Sequence, residues 1–127
     1  MNIALSPKVI EKRQELEQEL SRFVRVLAAN ASIGRVIVFG SLVSGDVHQW
    51  SDIDLAVIKD TDLSFFKRLH EIRLRLQPRV GVDLLVYTPK EFRELTEKRR
   101  FVAEEILSKE KLLYERESTA QLYMTDY

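Results

Sequence analysis

Apolar positions along the chain change period several times, and each change marks an element. Between Pro7 and about Asn30, Leu16, Leu20, Phe23, Val24 and Leu27 recur at spacings of three and four among Glu, Lys, Arg and Gln. At 3.6 residues per turn these positions fall on one face, which predicts a helix with a single buried stripe. Ser6-Pro7 supplies a cap and a proline at the first helical position, and Asn30 to Gly34 holds the polar and glycine residues that end a helix. Arg35 to Phe39 is β-branched and aromatic and apolar on both faces, so it reads as a short strand central in its sheet. A short helical turn and loop over Ser41 to Ser51 leads to a second strand, Asp52 to Ile58. Ser64 to Gln77 carries Phe65, Leu69, Ile72 and Leu76 on one face and is stopped by Pro78, which predicts a helix. Val82 to Tyr87 is a third strand, and Thr88-Pro89-Lys90-Glu91 is a capping box that opens a helix with Phe92, Leu95, Arg99, Val102 and Ile106 at helical spacing. Leu112-Leu113-Tyr114 fits either a short edge strand or a last helical turn, and the tail from Glu115 is expected to be loose unless a partner orders it. No internal repeat is apparent. These elements make one small α/β (α+β) domain over residues 1–114, a largely antiparallel or mixed sheet flanked by helices, followed by a tail at 115–127.

Composition narrows the function classes. At 127 residues, one core burying roughly two thirds of the unfolded surface is expected, with no room for a second, acceptor-recognising domain. The apolar share of 45% and charged share of 31% are those of an ordinary soluble domain. Twenty basic and 20 acidic residues cancel, which speaks against a protein whose main task is stable nucleic-acid binding. Cysteine is absent, so disulfides, zinc-thiolate sites and thiol nucleophiles are excluded. The N-terminus turns into charged helix too early for a signal peptide, and no run approaches transmembrane length, so the expected location is the cytoplasm.

The candidate chemistry lies in the acids of the strands. A strand has a side-chain period of two, so Asp52 and Asp54 share one face while Ile53, Leu55 and Val57 take the other. Two carboxylates so close repel unless a cation lies between them, and aspartate oxygens are hard ligands suited to Mg²⁺. Asp83 interrupts the apolar run Val80 to Val86, where a bare carboxylate costs several kcal/mol by order of magnitude unless compensated. A third strand delivering a third acid beside the first two would supply that compensation. Gly40-Ser41 ends the first strand: glycine allows a tight turn, and the amides at the start of a short helix, with the Ser41 hydroxyl, can face a phosphate. Taken alone, a Gly-Ser pair after a strand is more readily a simple turn.

Gly40-Ser41, ten residues, Asp52-Ile53-Asp54, and Asp83 in a following strand resemble the minimal nucleotidyltransferase domains of the DNA polymerase beta superfamily, specifically the antitoxins encoded beside a HEPN-domain toxin. The resemblance runs from about Val24 to Tyr114. It implies the polymerase-beta-like fold, with Gly40 and Ser41 holding the triphosphate of ATP. Asp52 and Asp54 would bind two Mg²⁺, and Asp83 would bind the catalytic metal and help activate the incoming hydroxyl. It further implies transfer of AMP to a hydroxyl, most directly a tyrosine of the partner HEPN toxin. General chemistry agrees: two cations, one activating a hydroxyl and one holding the leaving pyrophosphate, can be bridged by three acids. Two other classes stay open. One is an antitoxin that neutralises its partner by binding alone; the other is nucleotidyl transfer to a small molecule, with an acceptor pocket built at a homo-oligomer interface.

One departure bears on catalysis. Many relatives carry an arginine three residues after the serine, where this chain has Ser44; Lys59, Arg79 or a partner residue would have to replace that charge. In the loop before the acids, Trp50 is expected to pack down as a lid on the core, with contact by His48 and Trp50 to a base or acceptor as the alternative. Asp46 reads as a cap, His70 as solvated, and Glu97 to Arg100 as a wet helix surface. Tyr123 and Tyr127 fall in the loose tail.

Overall fold

The computed structural model describes residues 6–98 and 111–116. Their order is α1 (Pro7–Ala28), β1 (Ile33–Phe39), α2 (Ser41–Ser44), β2 (Ile53–Lys59), α3 (Phe65–Leu76), β3 (Val82–Tyr87), α4 (Pro89–Lys98) and β4 (Lys111–Glu115). The four strands form one sheet in the order β3-β2-β1-β4. β1 runs antiparallel to both β2 and β4, while β2 and β3 are parallel, so the sheet is mixed and β1 is internal. α3 makes the crossover between the two parallel strands, the usual way to connect strands that run in one direction.

Helix signals read from the chain act as expected. Ser6 Oγ accepts the Val9 N–H at 3.3 Å and Pro7 follows it, so α1 begins at a capped end. α1 buries Leu16, Phe23 and Leu27 against the sheet. α3 buries Ile72 and Leu76 in the same core and ends on Gln77, whose backbone is left-handed at φ 42°, just before Pro78. The capping box closes: Glu91 N–H donates to Thr88 Oγ1 at 3.1 Å, and Thr88 N–H donates to Glu91 Oε1 at 2.9 Å. The positions of α4's expected continuation from Arg99 onward, Val102 and Ile106 included, lie outside the described residues, as do Tyr123 and Tyr127.

The two faces of the sheet differ. Ile53, Leu55 and Val57 of β2 and Val82, Leu84 and Val86 of β3 point into the larger core with α1 and α3. Ala56 and Ile58, with Ile37 of β1, lie on the other face, where Phe39, Leu85, Tyr87 and Phe92 of α4 pack against them. Among the described residues this second cluster is the smaller of the two.

Two ion pairs, each with one buried member, tie the elements together. Glu19, 5% exposed, is held by Arg22 through bonds of 2.7 and 2.9 Å and accepts the Arg79 backbone N–H at 2.6 Å, which binds α1 to the loop between α3 and β3. The Arg22 guanidinium holds its carboxyl below the usual carboxylate range, against the opposing effect of burial. Arg68, 8% exposed, donates to both Glu91 oxygens at 2.6 and 3.2 Å and to the carbonyls of Leu63 and Val86 at 2.7 and 3.4 Å. It joins α3, β3 and the start of α4.

At the sheet edge, Leu112-Leu113-Tyr114 belongs to a strand rather than a helical turn. The strand continues to Glu115, which pairs with Arg35 at 2.8 Å, and Arg116 donates its backbone N–H to Gly34 O at 2.8 Å. The Arg116 guanidinium also reaches the carbonyls of Ala28, Asn30 and Ile33, answering acceptors that the end of α1 leaves open. The sheet and its bonds thus extend past Tyr114, and the rest of the tail lies outside the described residues.

Candidate active site

The parallel pairing of β2 and β3 puts Asp54 and Asp83 directly opposite each other on adjacent strands. Side chains opposite in register project to the same side, so both carboxyls emerge on the face that carries Ala56, Leu85 and Tyr87. On the other flank of β2, Asp54 is paired with Phe39, the last residue of β1, so the acid pair sits beside the point where β1 turns into α2.

Two glycines shape this corner. Gly40 has φ 75° and ψ −149°, a region that side chains other than glycine scarcely enter. A Cβ there would also overlap the Asp54 carboxylate, lying only 2.9 Å from its Cγ. Gly81 makes the matching approach to Asp52, whose Cγ would lie 2.6 Å from a Cβ at that position. Ile53 N–H donates to Gly81 O at 2.9 Å, which pins the start of β2 to the start of β3 at this point. Gly81 was not singled out in the sequence, although a glycine inside the apolar run Val80 to Val86 is the signal of a close backbone approach. Asp52 itself precedes β2, so strand alternation does not govern its direction, and it rests against Gly81 while Asp54 rests against Gly40.

The electrostatics follow from this crowding. Burial raises the Asp54 carboxyl to about 6, aided by its hydrogen bond with Asp83 and by the negative charges of Asp83 and Asp52. Among the described residues, no ion pair neutralises Asp52, Asp54 or Asp83. No group of three acids or histidines among the described residues is preassembled as a metal cage. The donor set nonetheless suits a hard divalent cation: carboxylate oxygens meet on neighbouring strands, Asp52 and Asp83 are exposed, and glycines at 40 and 81 let the backbone approach the Asp54 and Asp52 carboxylates closely.

Gly40 caps α2 from its N-terminal side, and its carbonyl accepts the N–H groups of Val43 and Ser44 at 3.0 Å. Ser41 opens that short helix and is half-buried. Ser44 is exposed, and its Oγ accepts the Asp46 N–H at 3.3 Å. Of the cations considered as replacements for the expected arginine, Lys59 is ruled out. It is 6% exposed at the opposite end of β2, on the opposite face, and is paired with Glu71. Arg79 lies in the loop before Gly81, where its backbone is tied to Glu19. Trp50 departs from the expected lid, being 76% exposed rather than packed on the core. A shallow groove lined by Phe66, Lys67, His70, Glu71, Leu74 and Arg75 runs along the outer side of α3, on the far side of the sheet from the acids.

The mixed sheet brings the Gly40 turn, Asp54 and Asp83 to one corner, with Asp52 against Gly81 just before β2. The polymerase beta, nucleotidyltransferase family matches residues 21–119, and the chain belongs to that family. Among solved structures, a protein from Sulfolobus solfataricus assigned as a nucleotidyltransferase is similar at 19% identity and a TM-score of 0.64, covering 91% of this chain and 94% of its own. A mutant form of the toxin–antitoxin MntA–HpeT is similar at 22% identity and a TM-score of 0.50, covering 84% of this chain and 78% of its own. These likenesses establish a shared fold. No curated protein matches the chain. Among the described residues no helix is long and apolar enough to cross a membrane.

Proposed function

We propose that this chain transfers AMP from ATP, with Mg²⁺, to a tyrosine hydroxyl of a partner HEPN toxin in the cytoplasm, and so acts as its antitoxin. The observation that carries the reading is the register pairing of Asp54 with Asp83 beside the Gly40 turn, with Asp52 at the start of the same strand. The MntA–HpeT toxin–antitoxin, whose fold this chain shares, supports the choice of partner.

In this reading the amides that open α2, with the Ser41 hydroxyl, take the phosphates, and Asp52, Asp54 and Asp83 hold two Mg²⁺. When bound, the ions neutralise the triphosphate and make a hydroxyl nucleophilic near neutral pH. A bond forms between the acceptor oxygen and the α-phosphorus, the bond to the β-phosphate oxygen breaks, and pyrophosphate leaves. The acceptor proton passes to a carboxylate of the site or to water. In this reading the acceptor hydroxyl approaches from the side of the sheet on which Asp54 and Asp83 emerge.

One observation favours a second reading, an antitoxin that acts by binding alone: Ser44 stands at the arginine position, and Lys59 is engaged elsewhere. Mass spectrometry of the partner after incubation with ATP and Mg²⁺ separates the two. Wild type should add a mass of AMP size, and the Asp52→Ala/Asp54→Ala double variant should add none. If both forms neutralise the partner equally and neither adds mass, transfer is wrong and binding is the function.

A further inference from the structure

Trp50 is the single tryptophan of the chain and leaves 76% of its surface exposed. The loop that carries it is nevertheless firmly closed. Val47 and Ser51 are buried at its two ends. His48 N–H donates to Ser51 Oγ at 2.8 Å, Ser51 N–H donates back to His48 O at 2.9 Å, and Trp50 N–H donates to His48 Nδ1 at 3.3 Å. The two rings stand 6.4 Å apart and inclined at 53°. An indole is ordinarily driven inward by its large apolar surface. Here a braced loop holds it in water instead.

Its place in the chain suggests what it meets. The loop joins α2, which Gly40-Ser41 open, to Asp52, so Trp50 stands on the segment between the phosphate turn and the first acid. Resting on the nucleotidyl-transfer reading above, we propose that Trp50 is the stacking platform for the base of the nucleoside triphosphate, with His48 bracing its ring. Stacking depends on the flat face of a base rather than its hydrogen-bonding edge, so Trp50 selects for a nucleobase and ranks purines above pyrimidines by overlap.

Because the chain has one tryptophan, emission excited at the red edge of its absorption, where its four tyrosines do not absorb, reports on this ring alone. The test titrates the protein with ATP and, separately, with inorganic tripolyphosphate, both with Mg²⁺, and follows emission and calorimetric heat together. Both ligands should bind, and only ATP should quench. Trp50→Ala should weaken ATP binding about ten- to hundredfold and leave tripolyphosphate binding unchanged, and Trp50→Phe should recover part of the loss. If ATP binds calorimetrically without quenching, if both ligands quench alike, or if Trp50→Ala binds ATP as well as wild type, the platform is overturned while the nucleotide reading stands. If neither ligand binds, that reading falls and the platform falls with it.

Discussion

Replacing Asp54 by asparagine removes one charge from the acid pair without changing its shape, and the metal-free protein should become more stable. The carboxyl stands at about 6 against an ordinary 3.8, raised first by burial and then by Asp83 and Asp52. At 1.36 kcal/mol per pH unit this displacement corresponds to about 3 kcal/mol. Asp54 is only half-buried, so solvent screening reduces the cost to about 1–2 kcal/mol. The folded state holds the Asp54 proton more tightly than the unfolded chain does, so stability falls as pH rises through the window from 3.8 to about 6. Below that window the penalty is absent, and above it the penalty is complete. Urea denaturation in EDTA should therefore find Asp54→Asn more stable than wild type by about 1–2 kcal/mol at pH 7.5 and equal to it near pH 4. Mg²⁺ should then raise the stability of wild type more than that of the variant, because only a ligand that binds the folded state stabilises it. A variant less stable than wild type at pH 7.5, or a difference that does not change with pH, would refute the electrostatic account.

Gly40→Ala combines a backbone conformation closed to alanine with overlap on the Asp54 carboxylate, so a loss of about 2–3 kcal/mol is expected in chemical denaturation. Adding Asp54→Ala should return part of it, and strictly additive losses would show that the two residues do not touch. Gly81→Ala meets only the movable end of Asp52 and has no left-handed backbone to strain. Its stability should change by less than about 1 kcal/mol while Mg²⁺ affinity, read by calorimetry, falls; intact Mg²⁺ binding would remove Asp52 from the site. Arg68→Met removes the donors of the Leu63 and Val86 carbonyls and the Glu91 ion pair, leaving Glu91 its Thr88 N–H, at a cost of about 1–3 kcal/mol in thermal or urea unfolding. Arg68 holds the Glu91 carboxyl below its usual range, so wild type keeps this stabilisation above ordinary carboxylate pH and loses it as pH falls through the lowered value. The variant should show a flatter acid limb, and an unchanged one would contradict the pairing.

Local structure was legible because its causes are local. Leu16, Phe23 and Leu27 mark a helix face through spacing alone, Thr88 and Glu91 announce their capping box, and alternation in β2 and β3 assigns Ile53 and Val82 to one side and Asp54 and Asp83 to the other. The acids and the Gly-Ser turn could thus be picked out as residues with shared chemistry. What alternation could not supply is which strands are neighbours, in which direction and at what register. Those depend on how α3 packs the crossover onto the sheet, and they alone set Asp54 opposite Asp83. Gly81 escaped notice for the same reason, since its use is to admit Asp52 and that contact exists only once β2 and β3 lie side by side. Lys59 looked free in the chain and is consumed by Glu71 of α3, and Arg116, in a tail expected to be loose, is bound by carbonyls from the end of α1 and the start of β1. Trp50 shows the same division. Its residue type predicts burial, but hydrogen bonds between His48 and Ser51 close the loop and hold the ring outward, an arrangement that only the folded loop decides.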